Sequence, residues 1–267
     1  MRGINSTSLM RGLQREEFRM HYQPRVDVRA GRVAGLEALM RWQHPKLGLT
    51  APDHFIGLAE SSGRIADLGL WAIEQACNDL LHLKAQGIDT RMAVNVSVLQ
   101  MQEAGFAEQA LALIRRLGVE PACLEFELTE SQAVSKLSHV RRNMLKLRRQ
   151  GVELSLDDFG TGFSSLTHLD KLPVSLVKID REFVKDIDQR ITRRRIVGGV
   201  IQMAHGLGLS VVAEGVETAA ELAVLQAEGC DVVQGFLFSP GHSMTQLPTA
   251  LAGIESQLLH MPCAGRA

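Results

Sequence analysis

Apolar and polar positions alternate along Phe18 to Gln23, and a mostly apolar run follows from Val33 to Arg41, so both read as β-strands. They are joined across DVRAGR, where Gly31 suits a hairpin turn. Further along, the pattern changes period and then repeats. LWAIEQACNDLLHL carries apolar residues at helical spacing and leads into the strand-like MAVNVS. EQALALIRRLG precedes CLEFELT, and HVRRNMLKLRRQG precedes VELSLDD. Gly87, Gly118 and Gly151 fall where these helices should stop. The second half continues with VSLVKID, a long helical stretch from Glu182 to His205, SVVAEGVE, a helix over Ala219 to Glu228, DVVQG and a final helix ending near Leu259.

Strands interleaved with helices imply parallel pairing under helical cover, and about eight of them favour a closed (β/α) barrel over an open sheet. The hairpin at the start makes the expected fold an α/β, modified TIM (β/α)8 barrel with one antiparallel strand near the N-terminus. A chain of 267 residues fits one such unit.

Composition narrows the picture. A 45% hydrophobic and 22% charged chain has a substantial core. The formal net charge of −1 gives no general basis for binding polymeric nucleic acid or an anionic membrane, so any phosphate affinity must be local. Basic positions such as Arg141, Arg142 and Arg193 to Arg195 read as solvated helix faces. Cys77, Cys123, Cys230 and Cys263 lack metal-site spacing and read as reduced thiols. The charge-free stretch Ile196 to Ala213 is broken by Gln202, His205, Ser210 and four glycines, so it reads as a core helix entering a core strand. With no secretory signal in residues 1–19, the expected location is cytoplasmic.

The polar residues within the strands carry the chemistry. Glu37, Asn95, Glu127, Asp157, Asp158, Lys178, Glu214 and Gln234 lie at or near the C-terminal ends of apolar runs. In a barrel that end gathers side chains from different strands into one site. A single acid there usually caps the next helix or faces water. Several converging carboxylates raise one another's pKa and need positive charge to stay ionised. Carboxylate oxygens with an Asn amide are hard ligands suited to Mg²⁺ or Mn²⁺.

With YQP (22–24), EALMR (37–41), NVS (95–97), ELTE (127–130), DDFGTGFSSL (157–166), KID (178–180), AEGVE (213–217) and QG (234–235) in this order, the sequence resembles the EAL-domain cyclic di-GMP phosphodiesterases. The resemblance covers residues 13–260, leaving 1–12 as an expected stub or linker and 261–267 as a tail. It implies hydrolysis of cyclic di-GMP to linear pGpG with two Mg²⁺ or Mn²⁺ ions per site. By position, Glu37, Asn95, Glu127 and Asp157 would hold one ion, with Asp157 bridging to a second touched by Asp158. Glu214 would bind or activate the attacking water, and Lys178 would contact that water or a phosphate oxygen. Gln23 and Arg41 match ligand contacts, and Gln234 would order the site. Glu130, Asp180 and Glu217 match supporting positions.

The resemblance also implies a homodimer formed beside the loop after Asp158, and a regulatory or sensory domain outside this chain. Arg25 departs from the family, where an aliphatic residue commonly follows YQP; it could alter phosphate contacts or face solvent. The loop LFSPGHS also differs from the more usual form, in which a basic residue and then a proline follow the Ser. The alternative reading is a catalytically silent cyclic di-GMP sensor, which typically loses carboxylates that are all present here. An enolase-like barrel could share strand-end acids but does not account for GTGFSS.

Overall fold

The protein, a computed structural model, is described over residues 4–129, 137–160 and 172–260. Its first strands form a hairpin longer than the two stretches suggested: β1 (Phe18–Asp27) runs antiparallel to β2 (Arg32–His44). A short β3 (Gly48–Thr50) extends the outer end of β2. Parallel strands follow from β2 through β4 (Met92–Asn95), β5 (Leu124–Thr129), β6 (Glu153–Phe159), β7 (Leu176–Ile179), β8 (Ser210–Ala213) and β9 (Val232–Val233). Antiparallel pairing of β1 with both β2 and β9 closes the barrel, and β10 (His242–Ser243) pairs with the outer part of β1. The one antiparallel barrel strand is therefore β1, and the expected modified TIM barrel is the observed fold.

Among the described residues eight α-helices precede β8. They are α1 (Ser6–Gln14), α2 (Ile56–Ser61), α3 (Ile65–Ala85), α4 (Val98–Gln102), α5 (Phe106–Leu117), α6 (Leu137–Arg149), α7 (Arg181–Val184) and α8 (Ile191–Gly206). After β8 come α9 (Ala219–Ala227) and, near the C-terminus, α10 (Leu247–His260). On α5 the apolar residues Phe106, Ala107, Ala110, Leu111 and Ile114 recur every three to four positions and are buried. The helix stops at Gly118, whose φ of 75° is open to glycine at little steric cost. Its partner residues in the shell include Val94, Phe126, Leu154 and Met144, all buried.

Two expectations differ from the structure. The stretch from Glu182 to His205 is not one helix: α7 ends at Val184, and Asp186 at φ 57° reverses the chain before α8 begins at Ile191. A left-handed residue cannot continue a right-handed helix, and Lys-Asp-Ile-Asp has no apolar period to oppose the turn. Within residues 1–12, expected as a stub or linker, α1 already begins at Ser6 behind an Asn5 cap. Its Leu9 is buried in a cluster with Phe18, Trp42, Phe55 and Leu68, where Phe18 stacks on Trp42 at 5.1 Å between ring centroids. Among the described residues no helix is long and apolar enough to cross a membrane. Cys77 and Cys230 are buried free thiols whose pKa burial pushes up to about 12.

Candidate active site

Strand register gathers the acids. Asn95 pairs with Glu127 across β4 and β5, and Thr129 pairs with Asp157 across β5 and β6. Glu37 lies opposite Ala93 on the neighbouring β2. Residues two apart on a strand share a face, so Glu125, Glu127 and Thr129 point into the barrel while Leu124, Phe126 and Leu128 point to the helices. Glu37, Asn95, Glu127, Thr129, Asp157 and Asp158 line one cavity of about 390 Å³, walled on one side by Met20, Met40 and Ile56.

The aspartate doublet reaches this cavity through backbone distortion at the doublet itself. The β6–β7 register shifts between Leu156 and Phe159, and Asp158 adopts φ 56°. Such a left-handed bulge turns two consecutive side chains toward one side, which regular pleating forbids. It costs on the order of 1–3 kcal/mol, the kind of strain that functional sites retain. Gly160 is left-handed too, at φ 96°, while Gly162 lies outside the described residues.

Lys178 stands in the middle of the acids. Its Nζ lies 2.6 Å from Glu214, 2.7 Å from Glu127, 3.2 Å from Asp157 and 3.6 Å from Glu37, and its side chain is wholly buried. Burial alone would lower its pKa, but the charges of Glu214, Glu37 and Asp157 raise it above the usual lysine value. Around Glu37 a polar net closes: Asn95 Nδ2 donates to Oε1 at 2.9 Å, and Gln234 Nε2 donates to Oε2 at 2.6 Å. The Glu37 pKa falls to about 2, because Lys178, Arg25 and these hydrogen bonds outweigh the upward push of burial.

The outer acids behave oppositely. Burial, reinforced by Asp157 and Glu37, raises Glu214 to about 7 despite Lys178. Burial, then Asp157 and Asp180, raises Asp158 to about 6. Both shifts come first from burial, and the neighbouring carboxylates add to it. Among the described residues no three ligating side chains already surround one point, since Lys178 sits between them. The donor chemistry nevertheless fits divalent ions: hard carboxylate oxygens, an Asn whose donating Nδ2 leaves Oδ1 as the acceptor, and excess negative charge.

The other expected residues are dispersed by degree. Gln23 accepts from Gln234 at 2.9 Å and donates to the Ser239 carbonyl at 3.1 Å, which joins it to the site. Arg41 is half-buried and within electrostatic reach of Glu37 and Asp53, though it does not line the cavity; burial lowers its pKa against those two charges. Asp180 caps α7 through the Glu182 N–H at 2.7 Å and interacts with Asp158. Glu217 is exposed, and the cap of the helix that follows is Thr218, paired reciprocally with Glu221. Glu130 and the Thr161 to Ser165 part of the loop lie outside the described residues.

Gln234 owes its place to its neighbour. A Cβ on Gly235 would lie 2.1 Å from the Val216 carbonyl oxygen, so only glycine lets β9 pass this close to the turn after β8. The major residue that sequence reasoning missed is Arg25. It is buried inside the barrel against Glu125, Glu127 and Gln234, neither facing solvent nor placed to touch phosphate. The signal was available: Gln23 and Arg25 share one face of β1, as Glu125 and Glu127 share one face of β5.

Comparison with known proteins gives this geometry a context. The family model described as the EAL domain matches residues 6–241. The cyclic di-GMP phosphodiesterase NbdA of Pseudomonas aeruginosa is 40% identical over 251 residues, which is 94% of this chain and 31% of NbdA. The bifunctional diguanylate cyclase/cyclic di-GMP phosphodiesterase MucR of the same organism is 38% identical, over 91% of this chain and 36% of MucR. The chain thus spans about a third of these curated relatives. A solved structure of the MucR phosphodiesterase in complex with c-di-GMP superposes with a TM-score of 0.85 at 38% identity, covering 90% of this chain and 98% of that one. Klebsiella pneumoniae BlrP1, solved as a calcium/cy-diGMP complex, superposes with a TM-score of 0.77 at 28% identity, covering 87% of this chain and 58% of that one.

Proposed function

Because the chain belongs to the EAL domain family, we propose that it hydrolyses cyclic di-GMP to linear pGpG in a metal-dependent reaction. The observation that carries this reading is the convergence of Glu37, Asn95, Glu127, Asp157 and Asp158 from four strands on one cavity, with Lys178 and Glu214 ion-paired beside it. Glu37, Asn95, Glu127 and Asp157 would hold one Mg²⁺ or Mn²⁺, and Asp157, Asp158 and Glu214 a second. Bound divalent ions would supply charge neutralisation and acidify a water at neutral pH.

The chain's own residues do the rest. Lys178 would exchange some of its carboxylate partners for a phosphate oxygen or the attacking water, remaining a cation where negative charge develops. Glu214, ion-paired to Lys178, would bind or activate that water. Arg41 and Gln23 would contact the dianionic dinucleotide. The flank of Met20, Met40 and Ile56 offers an apolar surface to a planar base. The greater length of the curated relatives supports a regulatory or sensory domain beyond this chain.

The test is incubation of purified protein with cyclic di-GMP and Mg²⁺ or Mn²⁺, with products separated by ion exchange. Appearance of pGpG, abolished by chelation, is the expected result. Tight binding without turnover with either ion would replace the reading by the silent sensor.

A further inference from the structure

Beneath Lys178 the barrel holds a second buried cation that the hydrolytic scheme leaves unused. Arg25 lies on β1 opposite Gly35 of β2. Its guanidinium is divided three ways. Nη1 donates to Glu125 Oε2 at 3.1 Å, Nη2 pairs with Glu127 Oε1, and Nε donates to Gln234 Oε1 at 3.2 Å. The second oxygen of Glu127, Oε2, accepts from Lys178 at 2.7 Å. The two oxygens of one carboxylate are thus assigned to cations from different strands.

The position of Arg25 in the barrel adds to this. Glu127 lines the cavity of the site above. Arg25 and Glu125 line a separate cavity of about 460 Å³ at the opposite, N-terminal mouth, together with Ala93, Leu176 and Val212. Arg25 is the floor between these two spaces. Glu125 alone would neutralise it; instead the rigid fork also reaches Glu127 and, through Gln234, the carboxylate of Glu37. A guanidinium remains charged when buried and fixes several acceptors in one plane, which a point charge cannot do.

We propose that Arg25 is a positioning residue for the metal site: it clamps Glu127 Oε1 and Gln234 from below, so that the other Glu127 oxygen is presented to a divalent cation. The proposal rests on the metal-dependent reading above. Orientation and charge predict opposite outcomes on removal of Arg25. Loss of the clamp weakens cation binding, whereas loss of a positive charge near the acids by itself strengthens it.

The experiment titrates Mn²⁺ into nucleotide-free protein and follows the free ion by electron paramagnetic resonance. The paired variant Arg25→Met with Glu125→Gln removes the clamp without stranding Glu125. It should bind Mn²⁺ roughly 10-fold or more weakly, with Glu125→Gln alone close to the unmodified protein. Unchanged or tighter binding by the paired variant overturns the proposal. If circular dichroism shows that the paired variant does not fold, Arg25→Lys decides. This variant keeps the charge but not the fork, so weakened Mn²⁺ binding is expected, and unmodified affinity overturns the proposal. Absence of Mn²⁺ binding by the unmodified protein would instead sink the metal-dependent reading itself, and the proposal with it.

Discussion

The inside of the barrel and the shell around it are built from the same strands and obey opposite rules. On β5 the shell face carries Leu124, Phe126 and Leu128, buried among helix residues such as Ala110 and Met144. The inner face of the same six-residue strand carries Glu125, Glu127 and Thr129. Shell contacts are nondirectional and grow with the apolar area removed from water. Interior contacts are charged, directional and mutually dependent: Glu37, Gln234, Arg25, Glu127 and Lys178 form one connected net. Burying such groups contributes little net stability, because desolvation offsets the attraction. The shell therefore holds the fold together, while the interior spends some of that stability on a chemically prepared pocket.

Substitutions can break this division in order of effect. Asp157→Ala, which removes an interior acid and leaves the shell intact, should lower turnover by on the order of 10³-fold or more with little change in the unfolding midpoint. Comparison of steady-state rates with urea melts checks it; an equally active variant would show that the metals are misplaced. Phe126→Ala, one residue before Glu127 but fully buried in the shell, should do the reverse. It should cost about 3–5 kcal/mol in urea unfolding while the surviving folded fraction keeps its kcat. Gly235→Ala sharpens the boundary, since its Cβ would strike the Val216 backbone beneath Gln234. A stability loss of about 1–3 kcal/mol should come with a lower kcat, measured on the same preparation. The smallest effect belongs to Thr218→Ala, which removes the side-chain cap of α9 and no side chain of the cavity. About 1 kcal/mol should disappear from the unfolding free energy with kinetics untouched.

The shell was the more legible of the two regions. The apolar periods of Leu70 to Leu83 and Glu108 to Gly118 placed α3 and α5, because helix burial follows a local repeat. The run Glu182 to His205 misled for the same reason: a polar turn at Lys185 to Arg190 is short against its helical flanks, and an aspartate tolerates the left-handed conformation that Asp186 adopts without demanding it. In the interior, the strand-end positions of Glu37, Glu127, Asp157 and Glu214 were legible as a converging set. Their partners were not. Arg25 reads as an odd residue after YQP until the closing β1–β9 pairing brings it within reach of both Gln234 and β5.

Residue order alone dictates the alternation of strands and helices, the face on which each acid other than Asp158 stands and the family to which the chain belongs. All three follow from periodicity and residue identity, which are local properties. Only the tertiary structure decided that Asp158 turns left-handed to bring both aspartates to one cavity. It alone decided that Lys178 is shared among four carboxylates and that Arg25 lies beneath Glu127. Those outcomes depend on barrel closure, which brings together residues some 50 to 210 positions apart, and on the balance of charge and desolvation that exists only once they meet.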